Sequence, residues 1–299
     1  MFFISPSYIR DLDRFLQLRE SIRRFCKTPS KHLVIVPRQD YTAFLKATRQ
    51  DDSADVLVQQ DVVSSIFYPA FWHPWMKAIL KDQFWRISQF SGRSGWIIQQ
   101  IVKMNYPSFC DARYALMIDS DCLFFRDFDE SDFIGTDDKK ILLKQYPESE
   151  SGMHRLYING ARKILKLAEG PSHFHYMAYP SVFFREYVLS LQQYIEQIYS
   201  DPWQKVFFDI GTISEHSIYG IFVEEVLKPK DLKIRIAPFN IGIWTDACLE
   251  NSDLILNKVE QIIQKPNKHE QPFCLTIQSN IGHSTDKLRL DFIDKYLRS

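Results

Sequence analysis

Two carboxylates stand one residue apart in YALMIDSDCLFF, residues 114–125. Asp119 and Asp121 flank Ser120 after an apolar run, and in an extended backbone both would project to the same side. Two carboxylates on the same side of a strand repel each other, so a positive partner is expected between them. A hard divalent cation suits the pair, because it prefers oxygen ligands and also binds phosphate oxygens. The alternative is an Asx turn with two solvated carboxylates and no metal.

Two further groups of polar side chains have spacings that could serve a binding site. Gln99 and Lys103 lie four residues apart in GWIIQQIVKM, so a helix would bring them to one face. Lys103 could then bind a phosphate and Gln99 could donate a hydrogen bond, although an exposed amphipathic helix carries the same residues. His173 and His175 share one face of an extended segment. They could contact a substrate, bind zinc together with further ligands, or only pack.

The composition limits the classes of protein that could carry these residues. Lys plus Arg equals Asp plus Glu at 37 each, so no broad charge favours nucleic acid or anionic lipid. Five cysteines without a CxxC pair indicate reduced thiols and favour the cytoplasm. The amino terminus has no basic lead of a secretory signal, and no window resembles a membrane span. Seven aromatic residues within 67–85 fit core packing, or peripheral contact with a membrane.

The elements that must position these side chains alternate along the first half of the chain. FFIS predicts a strand, DLDRFLQLRESIRRFC a helix and HLVIVP a second strand, which together form a βαβ unit. YALMIDSD predicts a further buried strand, and in open α/β sheets ligands bind beyond the carboxyl ends of the strands. Without a repeat or a linker, the pattern predicts one α/β domain with an elaborated second half.

At this point the sequence resembles the glycosyltransferases of the GT-A fold, in which an apolar strand ends in a DxD motif. The opening strand, helix and second strand are similar to the nucleotide-binding start of that fold. GWIIQQIVKM and SEHSIYGIFVEEV resemble segments of a little-characterised bacterial branch that makes surface polysaccharides. The resemblance spans roughly residues 2 to 290. It implies a Rossmann-type open mixed sheet flanked by helices, in a single domain with a nucleotide-sugar half at 1–130 and an acceptor and catalytic half at 131–299.

The resemblance also implies roles for particular residues in donor binding. Asp121 would bind Mn²⁺ or Mg²⁺ directly, and Asp119 would contact the ribose or a metal-bound water, with Ser120 between them. His283 would complete the metal site, unless it is an ordinary surface histidine of its loop. Ser5, Ser7 and Asp11 would meet the nucleotide together with Gln99 and Lys103, although Asp11 could simply cap the first helix.

On the acceptor side, the resemblance places Glu215 as the base that takes the proton of the acceptor hydroxyl in an inverting transfer. His173 and His175 would contact the acceptor. Glu215 could also be the N3 residue of a capping box that begins at Thr212. The segment departs from the family pattern at His216, Ser217 and Ile218, which puts family-specific acceptor contacts in doubt.

The expected activity is transfer of a sugar from a nucleotide diphosphate sugar, by default a UDP-sugar, to a hydroxyl of a glycan or a lipid-linked acceptor. The expected location is the cytoplasm, at the inner face of the membrane. Two other classes stay open: a nucleotidyltransferase or sugar-phosphate transferase, and a non-catalytic carbohydrate-binding protein. The first of these is disfavoured because the sequence has neither a glycine-rich phosphate loop nor a GxGxxG motif.

Overall fold

A computed structural model gives the structure of the protein. It describes residues 1–63, 95–135, 139–146, 152–170, 174–210, 213–243, 252–265, 271–278 and 284–298. His173, His283 and the aromatic-rich segment 67–85 lie outside the described residues, so the predictions for them stay predictions.

The described residues contain ten strands and ten α-helices. The strands are β1 (Phe2–Pro6), β2 (Lys31–Val36), β3 (Ala54–Val58), β4 (Tyr114–Met117), β5 (Cys122–Phe124), β6 (Lys140–Lys144), β7 (Ser181–Phe184), β8 (Leu232–Ile236), β9 (Asn240–Ile243) and β10 (Cys274–Ile277). The helices are α1 (Leu12–Phe25), α2 (Tyr41–Thr48), α3 (Gln59–Val62), α4 (95–104), α5 (Gly152–Ile164), α6 (Arg185–Tyr199), α7 (Trp203–Ile210), α8 (Glu215–Ile221), α9 (Ser252–Ile263) and α10 (Ser284–Tyr296). A π-helical segment, Phe222–Leu227, continues α8.

The main sheet has the strand order β3-β2-β1-β4-β7. Its first four strands are parallel, and β7 pairs with β4 in the antiparallel direction. The chain runs from β1 outward to β3 and then returns to the other side of β1 for β4. The strand order therefore reverses between β1 and β4, which is the point where open α/β sheets leave a crevice for a ligand.

Two smaller sheets complete the fold among the described residues. One has the order β5-β10-β9, and the other pairs β6 with β8 in parallel. The strand β4 is buried along its whole length because both faces of the main sheet are covered, as its continuous apolar sequence predicts. A phenylalanine cluster behind β5 joins the main sheet to the smaller one through edge-on and stacked contacts of Phe3, Phe124, Phe128 and Phe273.

The first βαβ unit and the strand at 114–117 are confirmed. The strands β5 and β7 were not predicted, because each is only three or four residues long and has no alternation. No helix in the described part of the chain is both long and apolar enough to cross a membrane.

Candidate functional site

The two aspartates lie at the carboxyl end of β4, where the strand order reverses. The loop after β1 lies beside them, and the Ser120 hydroxyl donates to Ser7 Oγ at 2.9 Å. Both serines are buried. The hydrogen bond thus ties the turn after β4 to the loop after β1.

The expectation that Asp119 and Asp121 project from one side of a strand is wrong. β4 ends at Met117, and the backbone N–H of Cys122 donates to the Asp119 carbonyl at 3.2 Å, so the aspartates belong to a tight turn between β4 and β5. The turn is nevertheless not the solvated alternative, since the two carboxylates have different buried partners.

Asp119 is held by two side chains from other parts of the chain. Lys103 Nζ on α4 lies 2.7 Å from Oδ1, and the Tyr179 hydroxyl donates to Oδ2 at 3.0 Å. Burial and the charge of Asp119 raise the pKa of Tyr179 far above its usual value, so the phenol keeps its proton and remains a donor. Asp119 therefore already has a positive partner within the protein.

The same lysine also binds Glu215, the first residue of α8. Lys103 Nζ lies 2.8 Å from Glu215 Oε1, and His216 Nε2 lies 3.1 Å from the same oxygen without hydrogen-bond geometry. Burial raises the pKa of Glu215, but His216 and Lys103 outweigh it and lower the pKa far below the ordinary value. Burial lowers the pKa of Lys103, and the two carboxylates more than reverse this effect. We call Lys103, Asp119 and Glu215 the ionic bridge; the shifts of Lys103 and Glu215 keep both of these side chains charged at neutral pH.

Asp121 is less well compensated. Arg289 on α10 is the cation that lowers its pKa most, but Arg289 donates Nη1–H to the backbone carbonyl of Asp121 at 3.1 Å and Nε–H to Gln17 Oε1 at 3.0 Å. Burial and the charge of Asp119 raise the pKa of Asp121 to about 7, and Arg289 opposes this only in part. Negative charge at Asp121 therefore lacks a full counter-charge from the described side chains.

The described residues contain no group of three or more His, Cys, Asp or Glu side chains that could hold a metal by itself. The donor set at the turn still fits a hard divalent cation. Asp119 uses two of its roughly four lone pairs, Asp121 is under-compensated, and both offer the oxygen ligands that such ions prefer. His283, the predicted third ligand, lies outside the described residues.

Two of the predicted nucleotide contacts have structural partners. Ser5 Oγ donates to the Ile118 carbonyl at 2.7 Å and lies 2.8 Å from His32 Nε2, so the side chain is used inside the sheet. Asp11 does not cap α1, because its carboxylate accepts from Arg14 Nη1 at 2.7 Å instead. These contacts favour Ser7 over Ser5 as the serine that faces the crevice.

The helix α4 presents Gln100 rather than Gln99 to the ionic bridge. Gln99 is half-buried, whereas Gln100 is buried and accepts the Glu215 backbone N–H at 3.1 Å. The capping box from Thr212 is wrong, since Ser214 is the N-cap of α8 and Glu215 is its first residue. Gln100 precedes Lys103 by three residues and Gln99 precedes it by four. Both spacings place a residue on the same helix face as Lys103.

His175 lies in the short segment that pairs with Gln145. Its Nδ1 accepts the Met177 N–H at 3.2 Å, and burial together with the neighbouring His154 and His216 lowers the pKa of His175 to about 4. The imidazole is therefore neutral at physiological pH. It lies near His216, and hence near the ionic bridge.

Three residues of the site carried no usable signal in the sequence. Tyr179 stands in an irregular segment, and Arg289 lies on the terminal helix among many charged residues. His216 was noted only as a departure from the family pattern. All three reach the site through tertiary packing.

The comparisons with known proteins agree with this architecture. The model of the "Family of unknown function (DUF6492)" matches residues 4–233 of the chain. No curated protein matches the chain in sequence.

Among solved structures, the chain is similar to core-mannan synthase A (CmsA/Ktr4) from Aspergillus fumigatus in a Mn/GDP form, with 13% identity, a TM-score of 0.50, and coverage of 78% of this chain and 72% of that one. It is also similar to mouse xyloside xylosyltransferase 1 (10% identity, TM-score 0.44, coverage 94% and 99%) and to the galactosyltransferase LgtC with donor and acceptor sugar analogs (8%, 0.45, 98% and 94%). The predicted α/β fold with open mixed sheets flanked by helices, of the GT-A type, is confirmed. At these identities the similarity concerns the fold alone.

Proposed function

This chain belongs to the family of unknown function DUF6492, and we propose that it is a metal-dependent glycosyltransferase. It would move a sugar from a nucleotide diphosphate sugar, by default a UDP-sugar, to a hydroxyl of a glycan or lipid-linked acceptor. The half at 1–130 would bind the donor and the half at 131–299 the acceptor. The reaction would take place in the cytoplasm, at the inner face of the membrane.

The observation that carries the proposal is the under-compensated carboxylate of Asp121 at the point where the strand order reverses. Its pKa of about 7 shows that negative charge there is costly without a further cation. A carboxylate with a raised pKa in the ligand crevice of an α/β sheet is a candidate functional group on physical grounds. The GT-A fold, which also holds Mn and GDP in the mannan synthase, agrees with a nucleotide sugar as the ligand.

Asp121 would be the main ligand of Mn²⁺ or Mg²⁺, with Asp119 contributing a remaining lone pair and His283 a ring nitrogen. The bound cation would supply neutralisation of the charge that grows on the leaving diphosphate. Ser7 and Ser120 would line the nucleotide side of the crevice. Their mutual hydrogen bond fixes the loop after β1 against the DxD turn.

Lys103 would hold Asp119 in place and keep a fixed positive charge beside the diphosphate. Glu215 would act through Lys103 as a positioning residue. A carboxylate with a strongly lowered pKa is a weak proton acceptor, so the contacts of Glu215 favour this role over that of the base.

The test is thermal unfolding with Mn²⁺ and each of the common nucleoside diphosphates, for the wild type, Asp121→Asn and Asp127→Asn. Asp127 is the matched control, since it is a half-exposed surface aspartate paired with Lys27 at 2.9 Å. We expect one nucleotide to raise the midpoint in a metal-dependent way, because binding adds about 2.7 kcal/mol to the free energy of unfolding at a hundredfold excess over its Kd. Asp121→Asn should remove this shift and Asp127→Asn should keep it.

A shift that survives in Asp121→Asn, or no shift with any nucleotide, would refute the metal role of the DxD turn. With a nucleotide sugar, release of a nucleoside diphosphate supports glycosyl transfer. Release of pyrophosphate instead would identify a nucleotidyltransferase, and binding of the donor without any turnover would identify a binding protein.

A further inference from the structure

An aromatic pair involves the same helix that carries Lys103 of the ionic bridge. Trp96 on α4 and Tyr157 on α5 stack with ring centroids 5.6 Å apart and an interplanar angle of 28°. Trp96 remains 37% exposed, which is much for so large an apolar ring. The pair therefore offers an open aromatic surface at the end of α4.

Trp96 of the aromatic pair and Lys103 of the ionic bridge lie on the same face of α4. Trp96, Gln100 and Lys103 stand at i, i+4 and i+7, so they form one stripe on α4, with Trp96 about 10.5 Å along the axis from Lys103. The middle residue, Gln100, accepts the backbone N–H of Glu215. Burial and the charge of Glu215 raise the pKa of Tyr157, so its hydroxyl lies within the field of the same carboxylate.

Polar atoms near this stripe lack partners within the described part of the protein. The Gln100 Nε2 amide and the His216 Nδ1 are buried and make no hydrogen bond. Both residues are 2% exposed. An unsatisfied buried polar group destabilises the folded state, and a ligand that supplies the missing partners is one physical reason to keep it.

We propose that Trp96, Tyr157, Gln100 and His216 form a saccharide subsite, in which the acceptor sugar stacks on Trp96 and its hydroxyls pair with Gln100 and His216. This proposal rests on the proposed function, because it assigns the acceptor of that same site. A pyranose ring has an apolar C–H face and a rim of hydroxyls that both donate and accept. A lipid chain would use the ring face alone and would leave the amide and imidazole unpaired.

The experiment measures direct binding of methyl glycosides of glucose, galactose, mannose, xylose and N-acetylglucosamine by saturation-transfer NMR, without donor and with Mn²⁺ plus nucleoside diphosphate. The variants are Trp96→Ala, Trp96→Phe and, as a matched loss of an exposed apolar side chain elsewhere, Leu45→Ala. Tyr157→Leu is a second variant that removes the partner ring, in case Trp96→Ala unfolds.

We expect at least one glycoside to bind the wild type, and its Kd to rise about tenfold or more in Trp96→Ala, equivalent to about 1.4 kcal/mol. Trp96→Phe should retain most of the binding, and Leu45→Ala should be unchanged. With a turnover assay, the acceptor KM should rise in Trp96→Ala while the donor KM stays constant.

Three results would overturn the subsite. The first is that no glycoside binds the wild type, and the second is that Trp96→Ala binds the glycoside as well as the wild type does. The third is that Trp96→Ala loses nucleotide binding but keeps glycoside binding, which would mean that the aromatic pair stacks on the nucleotide base. The proposed function fails separately. If no nucleotide binds but a glycoside does, and Trp96→Ala loses it, the subsite stands and the transferase proposal falls.

Discussion

Lys144 and Lys103 are two of the buried lysines that carboxylates hold in this protein, and their ion pairs connect different regions. Lys144 on β6 lies 2.8 and 2.7 Å from the two oxygens of a single partner, Glu224 of the π-helical segment. Its ammonium also stands 4.8 Å from the ring centroid of Phe174 and 5.4 Å from that of Tyr176. Lys103, by contrast, divides its charge between two carboxylates on different elements, Asp119 and Glu215.

The contrast separates a closed ion pair from one that reaches the turn between β4 and β5. Glu224 accepts the Tyr176 hydroxyl at 2.7 Å in addition to Lys144, so its contacts join β6, the segment before β7 and the π-helix. Asp119 is 30% exposed in its side chain and belongs to the DxD turn. The Lys144–Glu224 pair thus holds packed elements together. We propose that the Lys103–Asp119 pair does this too and also positions Asp119 for binding.

The largest expected effect comes from Lys103→Met. It removes the cation between the two carboxylates and leaves Glu215 buried with His216 as its other charged neighbour among the described residues, which should lower the free energy of unfolding by about 3–5 kcal/mol. Urea unfolding followed by circular dichroism measures this loss. Transfer from a nucleotide sugar, measured per folded molecule, should also be lost.

The double variant Lys103→Met/Glu215→Gln distinguishes the two consequences. Neutralising the buried carboxylate should restore most of the stability, while turnover stays low because the charge beside Asp119 is still missing. If the double variant regains full turnover, Lys103 has only a structural role and the contrast with Lys144 disappears.

Lys144→Met should have a smaller effect, of about 2–3 kcal/mol on the free energy of unfolding. Glu224 keeps its hydrogen bond from Tyr176, and its side chain is 26% exposed, so water can solvate part of the charge left behind. Turnover per folded molecule and the nucleotide-induced shift in midpoint should equal those of the wild type. A selective loss of turnover in this variant would mean that the closed pair also contributes to the site.

His32 provides a third case, a buried titratable side chain without a counter-charge. Ser5 spends its proton on the Ile118 carbonyl, so it accepts from His32 Nε2–H, and the buried Nδ1 has no hydrogen-bond partner. Burial and the charge of Arg19 lower the pKa of His32 well below 6.5. The folded state therefore binds fewer protons than the unfolded state below pH 6.5, and its stability falls as the pH drops through that window.

The expected contribution of His32 to the loss of stability is up to about 2 kcal/mol between pH 7 and pH 5, at 1.36 kcal/mol per pKa unit. His32→Gln should remove that part of the slope in urea titrations at pH 7, 6 and 5. His175, whose pKa is lowered to about 4, contributes in the same window to both proteins, so the difference between them isolates His32. Identical slopes would show that protonation of His32 is not costly.

Local pattern was enough to predict the elements that carry the DxD motif. The continuous apolar run before Asp119 predicts a strand buried on both faces, and the apolar period of residues 12–25 predicts α1. Ligands of open α/β sheets bind beyond the carboxyl ends of the strands, and this general rule predicts the candidate site at the carboxyl end of β4. Lys103 was singled out because helical spacing alone puts it on a face with glutamine.

The partners of those residues were decided by the tertiary structure. Choosing between Gln99 and Gln100 requires the rotation of α4 about its axis, and one residue changes that direction by about 100°. The meeting of Lys103 with Glu215 requires that α4 and α8 approach the same strand end, which depends on the strand order. Sequence periodicity reflects burial along one element, whereas the pairing of charges from distant elements depends on how those elements pack together.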